Sequence, residues 1–398
     1  MRKFYPGITM FKLAGAILVL VAHALLIPSM AATELPPFIS FLMLEGRVVV
    51  PCFYLVSGFL LYKGWTHADK PAAYVSRYVL RIAAVYAVFC LVFAFEFIVP
   101  SLAGGGWGIP NLVLQAKIMV MAFFVNGPLI QLWFIPPLLF GAVAAYWMLK
   151  RLSLRSMIIG IALAYVGVQL VSGSLLGAFG LGGGIDGASE AGASAGAAMA
   201  ASADSPLDYG VLWATRYIGF GLTFVAMGAL IARHEEWFLG LGIRKLLLGA
   251  AALTIAETAL LTSFASWTDA YKLTISMIPN AALLFYGVLR IRSAAIAVHR
   301  RALNLFSIVA FVGHIPFMRL NAWLFGWGGT MEMAAWQQVL QTLLTFAECV
   351  TLTMLLHRGG SAARAGTRSL ELSEAEAAAG VSRSAARSAG DGGAKIGV

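Results

Sequence analysis

Charge is scarce in this chain: Asp, Glu, Lys and Arg make up 12% of its 398 residues, while hydrophobic residues make up 60%. A soluble domain carries about 25% charged residues, and a water-facing surface cannot be built from so few, which excludes a soluble globular fold. Cysteine is scarcer still. Cys52, Cys90 and Cys349 lie in or beside apolar runs without paired spacing, so neither a disulfide framework nor a zinc site is indicated and packing is their expected role. The HExxH of zinc peptidases is absent, and the GxSxG match GASAG at 192–196 falls in a Gly/Ala/Ser-rich stretch with no strand pattern before it, which leaves serine-hydrolase and zinc-peptidase mechanisms little support. The Gly-rich stretch after residue 177 lacks the Lys-Ser/Thr of a phosphate loop.

What is abundant is apolar sequence in lengths that cross about 30 Å of hydrocarbon. Ten such segments are expected, at residues 8–30, 38–62, 74–99, 129–149, 156–176, 209–231, 246–265, 273–289, 303–325 and 333–357. The fold class is therefore all-α, a polytopic membrane bundle of about ten transmembrane helices. Residues 111–127 are apolar but shorter, hold Lys117 and end at Gly127-Pro128, and read as an interfacial or re-entrant helix.

The placement of Lys and Arg tests this count, because short cytoplasmic loops hold the excess. With the N-terminus inside, the inner segments carry Lys63, Lys70 and Arg77, then Lys150, Arg151 and Arg155, then Arg233, Arg244 and Lys245, then Arg290, Arg292, Arg300 and Arg301. The outer segments hold Lys117 and Lys272 against Glu34, Asp186, Glu190, Asp204, Asp208 and Asp269. Counting 111–127 as a crossing would move Lys150, Arg151 and Arg155 outside. The formal charge of +10 is thus mainly a topology signal, and nucleic acid is not expected as a partner. Residues 1–357 form the membrane domain, with a mobile Gly/Ala/Ser-rich outer loop at 177–208 and a low-complexity cytoplasmic tail at 358–398. Both termini are expected in the cytoplasm of a cell-membrane protein. Lys12 interrupts the first apolar run, which also exceeds a typical signal-peptide core, so cleavage there is not expected.

Ionisable groups inside spans are costly and mark function more often than decoration. In the first span Lys12 and His23 are eleven residues apart, nearly on one helical face and about 16 Å apart along the axis. Lys12 can instead snorkel to the cytoplasmic surface, and His23 can instead be a hydrogen-bonded structural residue. Glu45 and Arg47 open the second span and point in different directions. Pro51 and Ser57-Gly58 there allow a kink or a close helix contact. Arg77 and Arg81 stand one turn apart at the inner start of the third span. They fit either a phosphate clamp or an anchor to anionic lipid. Gln131 and Trp133 begin the fourth span, where Pro136-Pro137 breaks regular hydrogen bonding. Arg216 lies in the sixth span, and His314 and Arg319 lie in the ninth.

Neutral histidine with buried arginine suits acyl transfer. Imidazole takes a proton from an attacking hydroxyl and returns it to the leaving group, while guanidinium neutralises phosphate or a developing oxyanion. At this point the segments FKLAGAILVLVAHA (11–24), RVVVPCFYLVSGFLLYKG (47–64), RYVLRIAAVY (77–86), LWFIPPLL (132–139) and FVGHIPFM (311–318) together resemble the integral membrane acyltransferase-3 family. These are O-acyltransferases of polysaccharides, peptidoglycan, antibiotics and related acceptors. The resemblance implies about ten spans and an acyl-CoA donor, often acetyl-CoA, presented from the cytoplasm. No tightly bound cofactor is expected. It implies Lys12 and His23 as the family's paired basic and histidine residues and Arg47 as the arginine before its VPxF-type motif. Arg77 and Arg81 would be donor contacts, and His314 the histidine of the closing span. Catalysis is thereby assigned to His23, Arg47 and His314, donor binding to Lys12, Arg77 and Arg81. Glu45, Gln131, Trp133, Arg216 and Arg319 are the acceptor-side candidates. Lys12 replaces the frequent Arg, Thr9 stands where an acid is often found, and Gln131 replaces the common His before LWF. The expected partners are the bilayer, acyl-CoA and a cell-surface carbohydrate or lipid-linked acceptor. A transporter or flippase with buried charges along its path, or a non-catalytic membrane sensor, are the rival readings.

Overall fold

The structure is a computed structural model that describes residues 4–26, 46–105, 107–127, 132–175, 206–264, 273–327 and 333–359. Every regular element among them is helical. Helix α1 is Pro6–Val21, continued by a π turn at Ala22–Leu26; α2 is Val49–Trp65; and α3 is Pro71–Phe93, continued by a π turn at Ala94–Ile98. Next come the short α4 (Val99–Gly105), α5 (Ile109–Met121) with its π turn Ala122–Asn126, α6 (Ile135–Arg151) and α7 (Leu154–Ser172). Helix α8 is a continuous run of Pro206–Trp213, a π stretch at Ala214–Leu222 and Thr223–Arg233. The remainder are α9 (Glu235–Gly240), α10 (Ile243–Phe264), α11 (Met277–Arg290), α12 (Ala294–Leu324) and α13 (Ala335–Gly359).

The helix starts follow from sequence chemistry. Pro6, Pro71, Pro110 and Pro136 occupy first turns, where a missing N–H costs nothing. Ser153 and Ser293 cap α7 and α12 by accepting from the N–H groups of Ser156 and Ile296. Two expectations change as a result. Pro136-Pro137 does not interrupt the fourth segment but starts it, at Ile135 rather than residue 129. Arg47 lies in a turn before α2, whose helix begins at Val49 with Pro51 in its first turn.

Six helices are long and apolar enough to cross a bilayer among the described residues: Pro6–Leu25, Pro71–Val92, Leu154–Ser172, Gly210–Arg233, Ala294–Leu324 and Ala335–Gly359. Val49–Trp65, Ile109–Val125 and Met277–Arg290 are apolar but shorter. The chain is thus a multi-pass membrane protein, and six crossings meet that test rather than ten. Residues 111–127 fall in α5 and its π turn, one of the shorter apolar helices. Most of the Gly-rich loop and the tail lies outside the described residues. Pro206 at the end of that loop already begins α8.

Large apolar side chains face outward along whole helices, including Leu80, Val88, Leu91 and Phe95 on α3 and Leu343 and Leu355 on α13. Water would drive such surfaces together, whereas lipid tails solvate them. The centre is aromatic, with Tyr54, Phe59, Phe224, Phe285 and Tyr286 fully buried. Helix α8 packs along α2, and α1 along α12.

The α2–α8 seam is close because glycines remove side chains from both sides. A Cβ at Gly58 would stand 2.0 Å from the Val225 carbonyl oxygen, and one at Gly228 would stand 2.1 Å from that of Leu55. The close-contact role of Gly58 is therefore the one realised. Backbone cannot yield as a flexible side chain can, so G58V should destabilise by at least about 1–3 kcal/mol. G160V, where the Cβ meets nothing within 4 Å, should be neutral. Thermal melts of detergent-purified protein followed by size exclusion would show it, and equal melting of G58V and parent would refute this packing.

Candidate active site

Two histidines from different helices meet inside the bundle. His23, in the π turn of α1, and His314, on α12, have ring centroids 5.2 Å apart with planes inclined by 54°. Each Nδ1 lies against the carbonyl one turn earlier, His23 at 2.9 Å from Val19 O and His314 at 2.8 Å from Ala310 O. A carbonyl oxygen only accepts, so each Nδ1 carries the hydrogen. Each neutral ring is then left with a basic lone pair on Nε2. His314 is fully buried, and its Nε2 has no hydrogen-bond partner among the described residues. An orphaned buried acceptor costs about 1–3 kcal/mol, so this lone pair is held open at a cost to stability. The π turn widens α1 at His23, a distortion frequent at functional sites.

A second centre forms around Arg216. The π turn ending α5 leaves carbonyls without intrahelical partners, and Gly127 then turns the chain with φ 79°. Tyr86 and Tyr217 donate to the carbonyls of Phe123 (2.7 Å) and Phe124 (2.6 Å), and Arg216 donates to that of Val125. The Arg216 guanidinium also lies 5.0 Å from the centroid of the Trp133 ring. Arg216 and Trp133 are thus brought together, with Arg216 buried and closing the end of α5. Aromatic contacts join this centre to the histidines. Phe134, next to Trp133, packs on Phe311 at 5.0 Å, one turn before His314, and Phe311 also packs on Phe53 at 5.8 Å.

The other predicted residues are placed less centrally. Lys12 is half-buried on α1 and has no hydrogen bond or ion pair with any described residue. Arg47 and Arg319 are half-buried and both engaged. Arg77 and Arg81 are exposed on α3, with Arg77 Nε donating to the Ala73 carbonyl at 3.2 Å. Among the described residues no hydrogen bond or ion pair joins them to Lys12. Glu45 and Gln131 lie outside the described residues. Among the described residues no three His, Cys, Asp or Glu side chains converge as metal ligands.

Paired imidazoles with free lone pairs inside a helical membrane bundle fit the comparison with known proteins. The profile of a family described as an acyltransferase domain matches residues 5–358. The chain belongs to the acyltransferase-3 family. A stretch of 166 residues is also 26% identical to an amino-acid racemase of Enterococcus faecalis, covering 42% of this chain and 21% of that protein. The chain therefore spans about a fifth of that relative's length. No solved structure matches the chain.

Sequence reasoning did not single out two further polar groups of this chain. Glu257, buried on α10, accepts from the N–H groups of Ile275 and Ser276, each at 2.7 Å, and from the Ser174 hydroxyl. Its carboxylate thereby satisfies the open N–H groups at the start of α11 and ties in the end of α7. The other group is the pair of Asn321 and Glu348, joined at 3.1 Å between α12 and α13. A carboxylate inside the apolar run 246–265 was the available signal for Glu257, and the seven-residue spacing of Ser307, His314 and Asn321 was that for Asn321.

Removing the Glu257 carboxylate leaves the two backbone donors of Ile275 and Ser276 open, while the Ser174 hydroxyl keeps Gln169 as acceptor, so E257A should cost several kcal/mol at about 1–3 kcal/mol per orphaned group. E257Q, which keeps one acceptor oxygen, should fall between E257A and the parent. Chemical denaturation in detergent would rank the three, and an E257A midpoint equal to the parent's would contradict the network.

Proposed function

We propose that this family member is a membrane O-acyltransferase that moves an acyl group, expected to be acetyl, from cytosolic acyl-CoA to a hydroxyl of a cell-surface sugar or glycan. His23 is the general base. The observation that carries the reading is the His23–His314 pair, in which both Nδ1–H groups are committed to backbone and the Nε2 lone pair remains for chemistry.

In the proposed step His23 Nε2 takes the proton of the acceptor hydroxyl as its oxygen attacks the thioester carbonyl carbon. The C–O bond forms, the C–S bond breaks, and the proton passes from the imidazolium to the leaving thiolate. Atoms and charge balance without a covalent enzyme intermediate, which suits a chain where the buried Cys52 sits among bulky apolar neighbours. His314 supports its neighbour's orientation or the acceptor hydroxyl. Lys12, on the same face of α1, supplies positive charge on the donor's route. Arg216 and Trp133 form a wall toward the acceptor side, with Arg47 and Arg319 as further acceptor or oxyanion contacts. The exposure of Arg77 and Arg81 favours surface anchoring over the phosphate clamp. The racemase likeness, confined to part of the chain at 26% identity, adds nothing to this reading.

Purified parent protein given labelled acetyl-CoA should consume it and transfer label to a glycan acceptor. H23A should lower turnover by about 10²–10⁴-fold, the usual contribution of a general base, while retaining its elution profile. Parent-like turnover in folded H23A would remove His23 as base, and substrate export without acyl consumption would favour transport. Ten crossings with both termini inside form part of the proposal. A cysteine placed at Arg151 should react with a membrane-impermeant reagent only after the cells are opened, and labelling of intact cells would overturn that orientation.

A further inference from the structure

The end of the bundle that carries Arg290 and Arg292 holds a pocket that the chemistry above does not use. It measures about 310 Å³ and is lined by Leu239, Leu289, Arg290 and Arg292. Arg290 is fixed in place: its guanidinium donates to the Tyr286 hydroxyl at 2.6 Å and lies 5.3 Å from that ring's centroid. Tyr286 is buried and donates in turn to the Leu241 carbonyl at 2.9 Å. Arg292 is exposed and has no partner among the described residues. The buried carboxylate of this end, Glu235, is already taken by the Tyr5 hydroxyl at 2.9 Å and by Lys63 at 2.8 Å. The two guanidiniums therefore face a cleft with no described carboxylate answering them. Leu239 and Leu289 line the cleft beside them, and low-dielectric side chains next to like charges strengthen the field there.

The pocket also lies at the foot of the helix that carries the histidine. A Cβ on Gly7 of α1 would stand 1.8 Å from the Val288 oxygen and 3.0 Å from Ile291 Cβ, so α1 begins against the residues that flank the cleft. From Gly7 to His23 is 16 residues along the helix, roughly 24 Å at 1.5 Å per residue, with the unpartnered Lys12 between them. A ligand with an anionic head in the cleft and a long tether along α1 would pass a cation before reaching the imidazoles.

We propose that this cleft binds the phosphate groups of the acyl donor, with Arg290 and Arg292 as their contacts. The inference rests on the acyl-CoA reading above and locates the donor's head at the junction of α9 and α11 rather than on α3. Guanidinium forks match phosphate oxygens in geometry and keep their charge at any working pH. A phospholipid headgroup offers the same chemistry, so the test must separate the two.

The test uses the full chain in discs of neutral phosphatidylcholine, titrated with coenzyme A by calorimetry. R292Q should weaken binding by about tenfold, the loss of one charge-assisted contact, and R290Q/R292Q by more. The KM for acetyl-CoA should rise in parallel while kcat at saturation stays near the parent's. R292Q serves as the safe variant because its side chain is exposed and supports no other group. Unchanged coenzyme A affinity in both variants would overturn the proposal, as would a loss confined to R77Q/R81Q. A change seen only in the retention of anionic lipid, measured by native mass spectrometry, would assign the cleft to a headgroup and overturn it too. Acyl transfer that still depends on His23 but ignores R290Q/R292Q would sink this site and leave the proposed function standing. Coenzyme A binding that depends on Arg292 with no acyl transfer to any hydroxyl would do the reverse.

Discussion

Hydrocarbon offers no hydrogen bonds, so every polar group in this bundle must be satisfied by the chain itself or be held open at a cost. The backbone meets that demand by being helical throughout the described residues. Small polar side chains meet it locally. Ser57, Ser307, Thr351 and Thr353 each donate to the carbonyl four residues earlier. Tyrosines and Arg216 meet it at the broken end of α5, and Glu257 does so at the open start of α11. Against this background of closed bonds, the buried atoms without partners stand out. Among the described residues they are Gln169 Nε2, His314 Nε2, Gln341 Oε1 and Thr345 Oγ1.

The sequence made the class of fold legible because low charge and long apolar runs have only one physical resolution. It made element positions legible to within several residues wherever a proline or a capping serine marked a helix start, as at Pro71 and Ser153. The crossing count was less accessible. Hydropathy takes in a whole apolar run, whereas α2, α6 and α11 are helical over only 17, 17 and 14 residues. The start of the fourth segment was misjudged for the same reason: a proline pair reads as a break in a window and as a beginning in a helix.

The site was legible in its parts rather than in its pairing. Helical spacing put Lys12 and His23 on one face, yet nothing in spacing could say that His23 would meet His314, since contact between helices depends on how α1 lies along α12. The separation of Arg216 and Trp133 in sequence hid their contact in the same way. Arg216 was read as a substrate group because a buried guanidinium is expensive, and part of that expense is recovered by capping α5. Glu257 is the complementary case: passed over in the sequence, it is buried and engaged in holding helix ends together.

The anchoring of both imidazoles to the main chain limits how protons can travel. A ring whose Nδ1–H is pinned to its own helix is a single-port device: it cannot receive on one nitrogen and deliver from the other, as a relay would. In the proposed transfer, whatever gives up a proton to His23 and whatever collects it must visit the same small patch of space. That requires the incoming oxygen and the departing sulfur to be neighbours on one side of the ring, and it makes the rim of that patch, rather than either helix end, the place where substrates are told apart.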